Sequence, residues 1–142
     1  MVLESSQEKV ILGTYSFIKP KGVVECSTNS NLSVKLNLNN GCNIYVSTFG
    51  RMGDFCKSDY KSVMNNVNED ISLRLISSNV FIVNEYLVYN IVFSKNGFFE
   101  SIYFVCKEDK TFRISFTFFS KLDNCFIIVK DILMSIKALN NV

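Results

Sequence analysis

Histidine is absent from the 142 residues of the sequence, and this absence excludes most of the side-chain chemistry that operates at neutral pH. Ser-His-Asp and Cys-His centres use an imidazole as base, and many zinc sites use one as ligand. A Lys, Tyr or carboxylate side chain could act as a base instead, but no spacing in the sequence brings one to a nucleophile. The oxygen ligands of a calcium loop are also missing. We therefore expect no enzyme, no cofactor and no metal site.

Five cysteines are the next candidates for chemistry, and they are spread along the chain as Cys26, Cys42, Cys56, Cys106 and Cys125. Their odd number and wide spacing differ from the paired ligands of an all-cysteine metal site and from the even framework of a secreted domain. We expect reduced, mostly buried thiols in a reducing compartment. Cys56 lies near the start of a predicted helix, where the dipole lowers a thiol pKa, but a core position on the apolar side of that helix is favoured over a reactive one.

The segment Gly50–Asp54 resembles an anion-binding corner, because it leads into the same helix and helix N-termini present free N–H groups. It lacks the Gly, four spacers, Gly-Lys-Ser/Thr pattern of a phosphate loop. An ordinary strand-to-helix turn is therefore expected, and its side chains Arg51, Met52 and Asp54 are candidate contacts for a protein partner.

Aromatic side chains are concentrated in the last two predicted strands, and the chain contains 13 Phe residues in all. Alternation along Thr111–Phe119 places four apolar residues on one face and Phe119 on the other. The first face can pack beneath the helices. Phe99 and Phe119 are expected on the second face, where they either are covered by a curled sheet or meet a partner or a second copy of the chain.

The elements that position these residues follow from the hydrophobic pattern. Helical spacing predicts helices over Asp54–Asn68 and Asp123–Leu139, and Asn96-Gly97 is the strongest hairpin signal because both residues tolerate positive φ. Alternation or apolar runs predict strands over Val10–Ile18, Val23–Cys26, Leu32–Leu38, Cys42–Phe49, Ile71–Leu75, Val80–Val83, Tyr86–Phe93, Phe98–Cys106 and Thr111–Phe119. The predicted fold class is α+β, with a single curved antiparallel β-sheet and two packed helices. One domain should span 1–142, with 1–8 as a loose tail.

Charge and hydropathy exclude two classes of partner. The net charge is +2, and the three arginines are far apart in the sequence, whereas nucleic-acid recognition favours clustered basic residues. No apolar run approaches the roughly 20 residues that span a bilayer, and the first residues lack the basic and apolar parts of a signal peptide. We expect a cytoplasmic protein that does not bind nucleic acid and does not insert into a membrane.

The order of elements is similar to that of the PsbP/DcrB-like fold family. The residues that carry the resemblance are the leading strand with its Pro-Gly turn, Tyr15–Gly22, and the last helical turns Asp131–Lys137, which read Asp-Ile-Leu-Met-Ser-Ile-Lys. The resemblance covers nearly the whole chain. It implies a binding protein, because the family includes photosystem subunits, periplasmic lipoproteins, a GTPase-binding protein, chaperones for secreted toxins and toxin-immunity proteins. The chaperones tend to carry an early Pro-x-Trp motif, and this sequence contains no Trp.

The expected function is therefore that of a non-catalytic protein-binding module, an immunity protein that neutralises a cognate bacterial toxin. The alternative is a chaperone or adaptor of a secreted effector, which would act as a homodimer with an apolar groove. Less favoured alternatives are a small-molecule-binding domain or enzyme with a pocket on the sheet face, and a structural subunit of a larger assembly.

Overall fold

A computed structural model describes residues 8–30, 32–39, 41–49, 56–107, 110–119 and 125–138. These residues form two helices, α1 (Cys56–Glu69) and α2 (Cys125–Ser135). The strands are β1 (Lys9–Leu12), β2 (Tyr15–Ile18), β3 (Val23–Ser30), β4 (Ser33–Leu38), β5 (Asn43–Phe49), β6 (Leu73–Val83), β7 (Tyr86–Lys95), β8 (Phe98–Lys107), β9 (Lys110–Phe118) and β10 (Lys137–Ala138).

Seven strands form the large sheet in the order β3-β4-β5-β9-β8-β7-β6, and every neighbouring pair is antiparallel. Tight turns join its long strands. The turn between β7 and β8 has φ of 48° at Asn96 and 88° at Gly97, which confirms the predicted hairpin. Asn84 and Glu85 also have positive φ and connect β6 to β7 in the same manner. The α+β prediction is confirmed.

One face of the large sheet, which we name the α2 face, holds the larger core. It is covered by α2 and by the three-stranded sheet β1-β2-β10. Alternation produces this face directly: in β4, Val34, Leu36 and Leu38 are buried, while the residues between them are half-exposed. The small sheet packs over β9, where the rings of Tyr15 and Phe17 lie 5.5 and 6.0 Å from that of Phe112.

The opposite face, which we name the α1 face, is covered by α1 over β6, β7 and β8. Five residues of β7 and β8 on this face are buried, and the helix places Cys56 and Val67 against the sheet. The predicted apolar side of α1 is thereby confirmed. The buried strand residues are Tyr89, Ile91, Phe93, Ile102 and Phe104.

Several predicted bounds were wrong. The stretch Val10–Ile18 is two strands, because Gly13 with φ of 58° turns the chain between them. The stretch from Ile71 to Val83 contains one long strand that starts at Leu73 and has a bulge at Ile76. The second helix ends at Ser135, and β10 follows it and pairs with β2. The large sheet is therefore accompanied by a second, smaller sheet that the sequence pattern did not predict.

The prediction of reduced cysteines was wrong for four of the five. Cys42 is bonded to Cys125 and Cys56 to Cys106, with Cα atoms 5.8 and 5.6 Å apart, within the normal range of a disulfide. One bond links the first residue of α1 to Cys106 in β8, and the other links the first residue of α2 to Cys42 just before β5, so partners that are distant in the sequence meet only in the fold. Cys26 on β3 is an exposed free thiol.

Candidate functional site

An open apolar groove lies on the α2 face, where α2 stops covering the sheet. Its volume is about 910 Å³, within the range of ligand-binding clefts. Strands β6, β7 and β8 form the floor, and Phe126 of α2 forms one wall. The remaining lining residues are Ile76, Ser77, Asn79, Val80, Phe81, Asn90, Val92, Phe99, Tyr103 and Phe118.

Aromatic contacts hold the wall in place. The ring of Phe126 lies edge-on to those of Phe116 and Phe118, with centroids 4.9 Å away in both cases. Phe99 stacks on Phe118 at 5.2 Å, and Phe81 meets Tyr103 edge-on at 6.5 Å. Such pairs add to the energy of area burial and fix ring orientation, so the groove is a preformed feature of the fold.

The floor of the groove contains a buried polar group. The side-chain amide of Asn90 donates hydrogen bonds to Ser101 Oγ and to the carbonyl oxygen of Ile102, both at 3.1 Å. Burial raises the pKa of Tyr103, and a hydrogen bond with Ser101 opposes that shift. Asn90 is thus held by the sheet itself, as a buried amide requires.

A second groove of about 330 Å³ continues the first along α2. The two share Phe81, Tyr103 and Phe126, and Lys130 and Met134 lie on the rim of the second. Lys130 is the only charged residue among the lining residues of both. An arginine and a carboxylate do not converge here, so the lining offers apolar contact and shape in place of acid–base chemistry.

A third depression, of about 520 Å³, lies on the other side of α2 and is more polar. It is lined by Lys19, Lys21 and Asp131 among others. The Lys19 ammonium already lies 2.6 Å from the Glu8 carboxylate, which raises the pKa of Lys19 through a side-chain hydrogen bond. The apolar groove is therefore the better candidate site.

The predicted contact residues are placed in different surroundings. Phe99 is half-buried and lines the groove, but on the α2 face, because the register places it opposite Phe118. Its expected position on the other face was wrong. Phe119 is 77% exposed and lies beside Phe98, with ring centroids 6.4 Å apart. Arg51, Met52 and Asp54 lie outside the described residues.

Sequence reasoning missed Phe81, Asn90 and Phe126 as site residues. Asn90 had a signal, because it is the single polar residue in the stretch Tyr86–Phe93 and a polar residue within a buried strand needs a partner. Phe126 had no such signal, since it recurs at the same helical spacing as residues of the core and is indistinguishable from them in the sequence. In the described part of the chain, no cluster of His, Cys, Asp and Glu could hold a metal ion. Neither described helix is long and apolar enough to cross a membrane.

Comparison with known proteins supports the fold alone. A crystal structure from Bacteroides thetaiotaomicron VPI-5482 matches with a TM-score of 0.70 and 12% identity, over 96% of this chain and 50% of that one. The chain therefore spans about half the length of that structure. The solution structure of cyanobacterial PsbP (CyanoP) from Synechocystis sp. PCC 6803 matches with a TM-score of 0.51 and 13% identity, over 88% of this chain and 86% of that one. No family model and no curated protein matches the sequence.

Proposed function

We propose that this PsbP-like domain is a non-catalytic module that binds a protein partner in its apolar groove. The observation that carries the proposal is the shared aromatic lining of two adjoining grooves of about 910 and 330 Å³, which are open along α2. Each volume is in the range of recognition clefts. Several of the apolar lining side chains are themselves exposed, namely Ile76 and Val80 in the first groove and Met134 in the second. Contiguous apolar surface of this kind marks interaction sites.

A protein partner fits the groove better than a small substrate does. The groove is open along its length, and its polar lining residues are Ser77 and Asn79 of the edge strand, Tyr103, and Asn90, whose amide is bonded within the sheet. Specific small-molecule sites bury most of the ligand surface, which an open groove does not do. Apolar and aromatic side chains with one basic group at the rim, Lys130, match instead the composition of a protein–protein interface core.

The partner in this proposal is a bacterial toxin that the domain neutralises by covering its active surface. The sequence pointed to the cytoplasm as the location. Two disulfides favour an oxidising compartment instead, because cytosolic reductants keep most thiols reduced. We infer that the domain meets its toxin in such a compartment.

Escort of a secreted effector is the second candidate function. It is favoured by the length of the two adjoining grooves along α2, which could hold an extended apolar segment of an unfolded client. The two functions differ in the state of the partner. An immunity protein binds a folded enzyme and abolishes its activity, whereas a chaperone binds a segment of a client that is not yet folded.

Affinity capture from a lysate of the source organism tests the proposal. The baits are the wild-type chain, Met134→Glu on the groove rim and Ile127→Glu on the same helix away from the groove, both exposed positions. One stoichiometric protein should co-elute with the wild-type chain and with Ile127→Glu, and should be lost with Met134→Glu. Inhibition of that protein's activity by the added domain would identify immunity. A wild-type bait that captures no protein even at low salt overturns the proposal.

A further inference from the structure

Strand β6 is the free edge of the large sheet. It is 11 residues long and pairs only with β7 among the described residues. Its outer side therefore presents a row of N–H and C=O groups to the solvent, which is a template for another strand. Exposed apolar side chains lie along it at Ile76, Val80 and Ile82.

The other edge of the sheet shows how an edge is protected. Strand β3 has two register shifts, and its Glu25 carboxylate accepts hydrogen bonds from Ser27 and Asn37. Bulges and charges of this kind block edge-to-edge pairing. Strand β6 has one shift, at Ile76, and no charged residue follows Arg74 before Glu85 in the turn beyond its end. The two edges thus differ in their bulges and charged side chains, which decide whether a further strand can be added.

The charges at the two ends of β6 are complementary to each other. Antiparallel pairing of two copies about Asn79 brings Arg74 of one copy to the end of β6 of the other, opposite Val83 or Asn84 according to how the bulge at Ile76 is accommodated, and close to Glu85. Twofold symmetry produces this contact twice. The side chains of Arg74 and Glu85 are exposed, and neither forms an ion pair among the described residues. We propose that β6 pairs antiparallel with β6 of a second copy, and that the Arg74–Glu85 contacts set its register.

Such pairing has a consequence for the groove. Ser77, Asn79 and Phe81 of β6 line it, so the twofold axis places the two grooves side by side on one face of a continuous sheet. The dimer thereby offers a partner an apolar surface twice as long. The pairing goes beyond the proposed function and does not depend on the identity of the partner.

Analytical ultracentrifugation of the purified chain across a dilution series tests the pairing. A Cys26→Ser background removes the exposed thiol that could link copies covalently. We expect a reversible dimer that is weakened at least about tenfold by Ile82→Lys, because an edge lysine opposes strand pairing, and unchanged by Ile127→Lys on α2. A chain that is monomeric at every concentration, or a dimer equally sensitive to both variants, overturns the proposal.

A charge exchange tests the register. Arg74→Glu and Glu85→Arg should each weaken the dimer by about tenfold, since like charges then face each other at both ends, and the double variant should restore it. If the loss of dimer affinity in the double variant equals the sum of the losses in the two single variants, the proposed register is wrong. Hydrogen exchange of the β6 amides separates self-pairing from the proposed function. If these amides are protected only in complex with a captured protein, the edge binds a strand of that protein. Self-pairing is then overturned, and the proposed function stands.

Discussion

The two helices of this domain are attached to the same sheet in different ways. Helix α2 buries Cys125, Val129, Ile132 and Leu133 against the large sheet and the small β1-β2-β10 sheet beside it. Helix α1 buries only Cys56 and Val67 on the opposite face. Most of the contact of α1 is made by half-buried side chains.

Ring stacking and a covalent bond supplement the thinner packing of α1. Tyr60 stacks on Tyr89 of the sheet, with ring centroids 4.5 Å apart, and Cys56 fixes the first turn to Cys106. The candidate groove is walled by Phe126 of α2, the helix with the larger apolar attachment. The wall of the candidate groove thus belongs to the more firmly attached helix, and such a wall would lose little conformational entropy if a partner bound there.

Removal of the disulfides should have the largest effect. Chain-entropy arguments assign about 4 to 5 kcal/mol to each bond, for sequence separations of 83 and 50 residues. Cys42→Ala/Cys125→Ala should lower the urea midpoint of the whole domain. Cys56→Ala/Cys106→Ala should lower it too, and should also release α1 from a sheet that stays folded, because α1 has less apolar contact with the sheet. Hydrogen exchange resolved by segment separates the two results.

Mass spectrometry without reductant provides the control for this prediction. The wild-type chain should be lighter than the reduced chain by the four hydrogen atoms that two disulfides remove. A chain with five free thiols when isolated from an oxidising compartment would contradict the assignment of the pairs.

Truncation of one apolar side chain in each helix sharpens the comparison. Ile132 of α2 is fully buried, and Ile132→Ala should cost about 3 kcal/mol of unfolding free energy through lost burial and a cavity. Val63 of α1 is half-buried, and Val63→Ala should cost about 1 kcal/mol or less. Urea unfolding of both variants measures the difference. Equal losses would show that the two helices are attached equally.

The hydroxyl of Ser135 bonds the last residue of α2 to the small sheet, in addition to the pairing of β10 with β2. Ser135 Oγ accepts a hydrogen bond from the Ile18 N–H and donates one to the Ile132 carbonyl, both at 3.0 Å. Ser135→Ala leaves the part-buried N–H without this partner and should cost about 1 to 2 kcal/mol. Ser135→Thr keeps the hydroxyl and is the matched control in the same unfolding measurement. A loss that is equal in the two variants would attribute the effect to packing.

The smallest predicted effect concerns the turn that follows α1. Hydrogen bonds from the Ser72 hydroxyl and N–H, at 2.7 and 2.9 Å, hold the pKa of Asp70 below its usual 3.8. A depressed pKa stabilises the fold above the unfolded-state value, and the contribution is lost as the pH falls through the folded-state value. Asp70→Asn should lower the urea midpoint slightly at neutral pH and leave it unchanged at strongly acidic pH. An equal difference at both values would contradict the role of the charge.

Most of the sheet could be predicted from the sequence because its signals are local. Alternation in β4 and the positive-φ pair Asn96-Gly97 specify a strand and a hairpin within a few residues. The C-terminal end of α2 could not be predicted, since Lys137 and Ala138 leave the helical pattern only to pair with Ser16 and Tyr15, more than a hundred residues away. Of the residues that line the candidate site, the sequence predicted only Phe99, and it placed Phe99 on the wrong face of the sheet.

The sequence by itself determined the α+β class, the order of most strands and the exclusion of imidazole chemistry, because these depend on composition and on side-chain direction along one segment. Tertiary structure alone decided the two disulfides, the face on which Phe99 lies and the groove beside Phe126. The physical reason is that register and helix placement are set by contacts between distant segments. A shift of one residue between β8 and β9 would move Phe99 to the other face without any change in the local pattern.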